Sequence, residues 1–255
     1  MVQRLRIRYA KRGPMRFTSH RDFARAFERA IERAGVPIAY SQGFTPHPKI
    51  SYASAAPTGT ASEAEYLEIG LRAPVEPDAL VKALDAALSP GLDVLDAVPV
   101  GAPGGLSDRI EASAWRVELT GVAPGDLADA VTAFLAAPEV TVERLTKQGL
   151  RSFDVRGAVV SLVAGVTGGA VPAGVTRTSG DGDGVCAILD LVVRQVTPSV
   201  RPDDVLAGLR VVADLVPPVP PRATRLAQGG LTAQGEIVDP LAADRERGVD
   251  GAPSA

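Results

Sequence analysis

The chain has 255 residues and a mass of 26.4 kDa, with 27 Lys and Arg against 30 Asp and Glu, 45% apolar residues, two His, one Cys and one Trp. That apolar content suffices for one large core or two of ordinary domain size. A single Cys excludes an internal disulfide, and two His with one Cys cannot fill a four-ligand zinc site without carboxylates. The sequence holds no Gly-Lys-Ser/Thr phosphate loop, Gly-x-Gly-x-x-Gly turn, Gly-x-Ser-x-Gly elbow or His-Glu-x-x-His pair, so those signatures supply no reaction.

Residues 1–8 alternate apolar and basic side chains and do not read as a leader, and no run approaches 18 apolar residues. The expectation is a cytoplasmic chain without a membrane span. Residues 1–60 carry eleven Lys and Arg against Asp22, Glu28 and Glu32, while the remainder carries sixteen against twenty-seven carboxylates. A basic N-terminal face on an acidic body suits an anionic partner, RNA or an acidic protein patch. Arginine supplies 23 of the 27 cations, so the same excess also follows from a composition that places Arg at exposed polar positions.

In chain order, Leu5, Ile7 and Tyr9 alternate with Arg4, Arg6 and Arg8, the period of a half-buried strand. Ser19 stands three residues before Asp22, a carboxylate variant of the capping box. Phe23, Ala26, Phe27, Ala30, Ile31 and Ala34 then recur at helical spacing up to Gly35, predicting a helix over 20–34. Its other face carries Arg21, Arg25, Arg29 and Arg33. Strands are expected at 37–41 and 49–53 around a Pro-rich loop, at 66–71 and at 92–100, with a helix at 77–88. The order strand, helix, strand, strand, helix, strand is that of the ferredoxin-like split βαβ unit, with helices on one face of an antiparallel sheet.

Residues 101–105 read as a linker or long turn, after which the pattern restarts. Strands are expected at 115–119, 140–145, 152–163, 185–193 and 223–226, helices at 126–136 and 202–213, and a Gly-rich turn at 179–184. The fold class is therefore α+β, two ferredoxin-like domains in tandem, spanning 1–104 and 105–228, with 229–255 a disordered tail.

Four groups of residues invite a chemical reading. His20 and His47, with Asp22, Gln42 and Lys49 near them in sequence, have the composition of a general acid/base or ligand pair; each also fits an ordinary role, in a helix first turn and between two prolines. In the loop Gln42, Gly43, Phe44, Thr45, Pro46, His47, Pro48, Lys49, the prolines remove backbone freedom, so Phe44 and His47 are presented for stacking, or Phe44 tucks into the core. Arg4, Arg6 and Arg8 fall on the sheet face that RNA-recognition modules use, although the paired aromatics of those modules are missing; the alternative is that this face packs against the second domain. The run from Lys147 to Arg156 reads as a hairpin turn bearing three cations, which contact an anion or guard a solvated edge. Asp181 to Gly184 lacks the closing Glu of a calcium loop, and Cys186 is expected as buried packing.

The segments Met15-Arg16-Phe17-Thr18-Ser19-His20-Arg21-Asp22 and Tyr40-Ser41-Gln42-Gly43-Phe44-Thr45-Pro46-His47-Pro48-Lys49-Ile50-Ser51 resemble a bacterial radical SAM-linked family of uncharacterised proteins, over roughly residues 2–215. In that family the domain is fused behind a B12-binding-type radical SAM enzyme or stands alone, often encoded near a ribonuclease E/G gene. This sequence has no Cys-x-x-x-Cys-x-x-Cys and resembles the stand-alone form. Thr45 replaces a commoner Asn, and Gly157 stands where a Pro is usual. The resemblance implies a radical SAM enzyme as partner and an RNA or ribonuclease context; it implies no cofactor and no catalytic residue. Three functions follow as expectations: a non-catalytic RNA-binding or substrate-presenting partner using Arg4, Arg6, Arg8, Arg16, His20, Gln42, Gly43, Phe44, His47 and Lys49; a small enzyme using His20 and His47 on a phosphate or nucleotide; or a protein adaptor without nucleic acid.

Overall fold

The computed structural model describes residues 1–146, 149–166 and 186–250. The chain divides into two compact units, residues 1–110 with the segment from Val238 onward, and residues 111–237. Both are mixed α+β with antiparallel strands.

In the first unit, β1 (Gln3–Lys11) sends Leu5, Ile7 and Tyr9 into an apolar core and Arg4, Arg6 and Arg8 to the other face, as its period requires. After a 3-10 turn (Gly13–Phe17), α1 (His20–Arg33) begins at Ser19, whose hydroxyl accepts the Asp22 N–H at 3.2 Å and donates to its carboxylate at 2.7 Å. The helix buries Phe23, Phe27, Ala30 and Ile31, and Phe23 stacks on Tyr9 with ring centroids 4.3 Å apart. There follow β2 (Ile50–Ala53), β3 (Ala61–Leu71), α2 (Pro77–Ala87) and β4 (Leu92–Pro99). β1 lies between β4 and β3, and β2 pairs with β3, every pairing antiparallel. Residues 37–41, expected as a strand, make only isolated bridges, Ile38 to Leu71 and Tyr40 to Pro48, because Pro37 and the loop closure leave too few free ladder positions.

The second unit contains β5 (Ala112–Thr120), α3 (Pro124–Ala136), β6 (Thr141–Thr146), β7 (Gly149–Asp154), β8 (Val159–Val166), β9 (Cys186–Arg194), α4 (Pro202–Ala213) and β10 (Arg222–Leu231). Its sheet runs β10-β5-β9-β8, again antiparallel. β6 and β7 form a separate two-stranded hairpin, so residues 152–163 are not one strand. They break at 155–158, where Asp154 turns the chain by accepting the N–H groups of Val140, Arg156 and Gly157, each at 2.9 Å. A proline at 157 would lack one of these donors. Leu127, Phe134, Val205 and Leu209 fill the core between helices and sheet. Gly208 packs so closely that a Cβ there would stand 2.8 Å from the ring of Phe134.

The first unit extends past residue 104, since Leu106 and Ile110 are buried with Ala53, Ala64, Tyr66 and Val98 in a small second cluster on its sheet. Leu241 completes that cluster. The stretch 229–255, expected as a disordered tail, instead holds the end of β10, the two-residue β11 (Ile237–Val238) and α5 (Ala242–Asp250). Among the described residues there, Leu241 and Asp244 are fully buried, anchors too few to alter a composition that is otherwise polar. Residues 251–255 and the turn expected at 179–184 lie outside the described residues.

Candidate functional site

The β1 arginines are largely neutralised within their own unit. Arg4 forks onto the Glu68 carboxylate. Arg6 is fully buried; it donates to Glu68 at 3.1 Å, to Asp244 at 2.6 Å and to the Gly104 carbonyl. Arg8 donates to the Glu63 carbonyl at 2.9 Å. Arg6 is therefore no open phosphate contact, because residues 101–110 and α5 cover it. Arg109 joins the same network, reaching Asp244 at 2.7 Å and the carbonyls of Ala102, Pro103 and Pro240 at 2.9 Å. Burial alone would push the Asp244 carboxyl up, but the N–H groups of Ala102 and Gly101 and the Arg6 guanidinium hold it below the ordinary carboxylate range. The Asp244 carboxylate therefore stays ionised at neutral pH.

The Pro-rich loop is closed by short-range bonds: the Ser41 N–H donates to the His47 carbonyl at 2.8 Å, and the His47 N–H to the Ser41 hydroxyl at 2.9 Å. Lys49 bonds to Ala39 and Gly70 through its backbone. Gly43 adopts φ +153°, which favours glycine. Phe44 is fully exposed rather than tucked into the core, and Gln42, His47 and Lys49 are exposed around it. Arg16 is half-buried with its guanidinium 4.7 Å over the exposed Phe17 ring.

His20 presents its ring to the edge of Tyr52, 4.9 Å between centroids and perpendicular. The Tyr52 hydroxyl is buried without a hydrogen-bond partner, and burial, with the Glu28 carboxylate, pushes its pKa up, so it stays protonated. His20 ties the start of α1 to β2, the strand that the loop feeds. His47 makes no ring contact or hydrogen bond with His20, and Asp22 is used by the helix cap. Among the described residues no group of three or more His, Cys, Asp or Glu is placed to hold a metal.

The cations that remain available are elsewhere. Arg21, Arg25 and Arg29, about 6 Å apart along the exposed face of α1, form no hydrogen bond or ion pair among the described residues. Arg33, next in that series, donates to the Ala87 carbonyl. The i+4 spacing was the signal for this stripe; what the sequence did not show is that the β1 arginines have internal partners and these do not. In the second unit, Arg156 turns toward the carbonyls of Leu135 and Val159, and Arg151 is exposed. Lys147 and Gln148 lie outside the described residues. Cys186 is half-buried, 3.8 Å from the Thr120 hydroxyl, at the first residue of β9 and not inside the core.

Fold and surface together define a two-unit α+β protein with a closed aromatic loop and an unpaired basic helix face on its first unit. Residues 4–202 match the profile of a family described as an uncharacterized protein conserved in bacteria (DUF2344), and the chain belongs to that family. No curated protein matches it. The matched stretch includes the loop, the α1 arginines and Arg109, and ends before α5. Among the described residues no helix is long and apolar enough to cross a membrane.

Proposed function

We propose that this is a non-catalytic, cytoplasmic RNA-binding or substrate-presenting partner of a radical SAM enzyme, built from two ferredoxin-like units. The strand order of each unit supports the fold reading, with the β6–β7 hairpin as an insertion in the second. The observation that carries the function is the contrast in arginine use: β1 spends its cations internally, while Arg21, Arg25 and Arg29 remain unpaired on a unit that also exposes Phe44, His47 and Lys49. Unpaired guanidinium groups hold phosphates, and an exposed ring on a closed loop stacks on an unpaired base at little entropic cost. The radical SAM partner comes from the sequence resemblance.

Binding to a structured RNA across a salt series tests this reading. Replacing Arg21, Arg25 and Arg29 together by Gln lowers the slope of log affinity against log salt by about two to three. Phe44→Ala weakens binding by about 1–3 kcal/mol with little change in that slope. No RNA retention at low salt refutes the reading. Capture from lysate before and after nuclease treatment then separates an RNA-bridged radical SAM partner from a directly docked one.

A further inference from the structure

Four donors converge on the carboxylate of Asp244. Its Oδ1 accepts the backbone N–H groups of Gly101 at 3.0 Å and Ala102 at 2.9 Å; its Oδ2 accepts Arg6 at 2.6 Å and Arg109 at 2.7 Å. Two successive backbone N–H groups with two guanidinium groups form a donor set suited to a phosphate, which offers more acceptor oxygens than a carboxylate. All four donors belong to the first 109 residues. The acceptor arrives from α5.

The attachment of α5 is mostly polar. Among the described residues, Leu241 is the one apolar anchor that its segment adds to the buried cluster. The other attachments are ionic or hydrogen-bonded: Arg245 reaches Asp96 and Asp239, and the Tyr66 hydroxyl contacts Asp239 at 3.5 Å. Nine residues are too few for a helix that holds together in water by itself. α1, in contrast, buries two phenylalanines and an isoleucine. If α5 lifts away, Arg4, Arg6 and Arg109 are left with Glu68 as their one carboxylate among these contacts. An exposed set of three cations to one carboxylate draws in an anion.

We infer that residues 238–250 are a detachable strap whose Asp244 occupies, in cis, a phosphate-binding cradle formed by Arg6, Arg109 and the N–H groups of Gly101 and Ala102. The reading of RNA as the phosphate's source rests on the function proposed above. The cradle adds a phosphate contact hidden until the strap opens, and makes the C-terminal segment a competitor of the bound polyanion.

A reversible lock on the full chain tests the strap. A Cβ at Gly101 would stand 3.1 Å from the Cβ of Arg247, a few tenths of an ångström inside the usual disulfide spacing of ~3.5–4.5 Å. The variant is Gly101→Cys with Arg247→Cys, and Cys186→Ser removes the native thiol. Pyrophosphate is titrated calorimetrically into oxidised and reduced protein, and a structured RNA is titrated in parallel. The expected result is pyrophosphate binding in the reduced form that weakens at least tenfold on oxidation. Asp244→Asn, in a full chain without the lock, binds pyrophosphate several-fold more tightly than the unsubstituted protein, and adding Arg109→Gln reverses the gain. Equal pyrophosphate binding in oxidised and reduced forms, or none in the reduced form and in Asp244→Asn, overturns the strap. RNA decides the other reading separately: gated pyrophosphate without RNA binding leaves the cradle standing and removes RNA as its source.

Discussion

In the first unit the sheet face away from the helices is closed by residues 101–110 and α5, with Arg6 fully buried between Glu68 and Asp244. In the second unit a cleft of about 480 Å³ lies over Ala114, Val163, Asp190, Val192 and Leu226. There Arg116 and Asp190 form a bidentate pair at 2.8 and 2.7 Å and keep partial exposure. Both faces thus join an arginine of one strand to a carboxylate, yet in the first the arginine has lost all contact with water. A buried charge stripped of its partner is costly, whereas an accessible one is rehydrated, so the same residue type stakes very different energies on the two faces.

Four substitutions sharpen this comparison. The two helix-side cores are alike, each holding a fully buried phenylalanine on its unit's first helix, so Phe27→Ala and Phe134→Ala should each cost about 3–5 kcal/mol. Urea unfolding followed by hydrogen exchange should place the first loss in residues 1–110 and the second in 111–237; a loss spread equally over both would erase the division into units. Next in size, Gly208→Ala drives a methyl group against Phe134, Val140 and Val155, an overpacking of about 1–3 kcal/mol that marks the second core as the tighter at this point. A gain in melting temperature would show that the site has room. Smallest is Arg116→Met, about 1 kcal/mol or less, because Asp190 remains accessible to water. A loss of several kcal/mol there would mean that the open face of the second unit is as closed as the first.

Where local periodicity decides structure, the sequence was readable. The alternation of Leu5, Ile7 and Tyr9, the Ser19 cap and the spacing of Phe23, Phe27 and Ile31 located β1 and α1. The repeated order of strands and helices was visible, and the run from Lys147 to Arg156 reads as a hairpin turn, but the break at 155–158 was not visible, because 152–163 reads as one extended segment across the turn that Asp154 makes with backbone donors. The site was read partly in reverse. Arg6 sits at a position that reads as solvent-facing, and nothing near it announces a partner 238 residues away. Leu241 and Asp244 are lost in a stretch whose composition is that of a tail. Phe44 and the helix arginines were legible as types and spacings; their freedom from partners belongs to the folded chain.

The first unit is discontinuous, with residues 111–237 inserted before its last helix. At a synthesis rate of about 5–20 residues per second, Arg109, the last of the cradle's donors to be made, leaves the ribosome roughly seven to twenty-seven seconds before Asp244 exists to receive it. During that interval the nascent protein carries an unfilled basic cleft, in a crowded compartment rich in ribosomal and messenger polyanions. The order of translation therefore gives any phosphate-bearing molecule the first opportunity at the cradle, and α5 arrives as the group that must displace it.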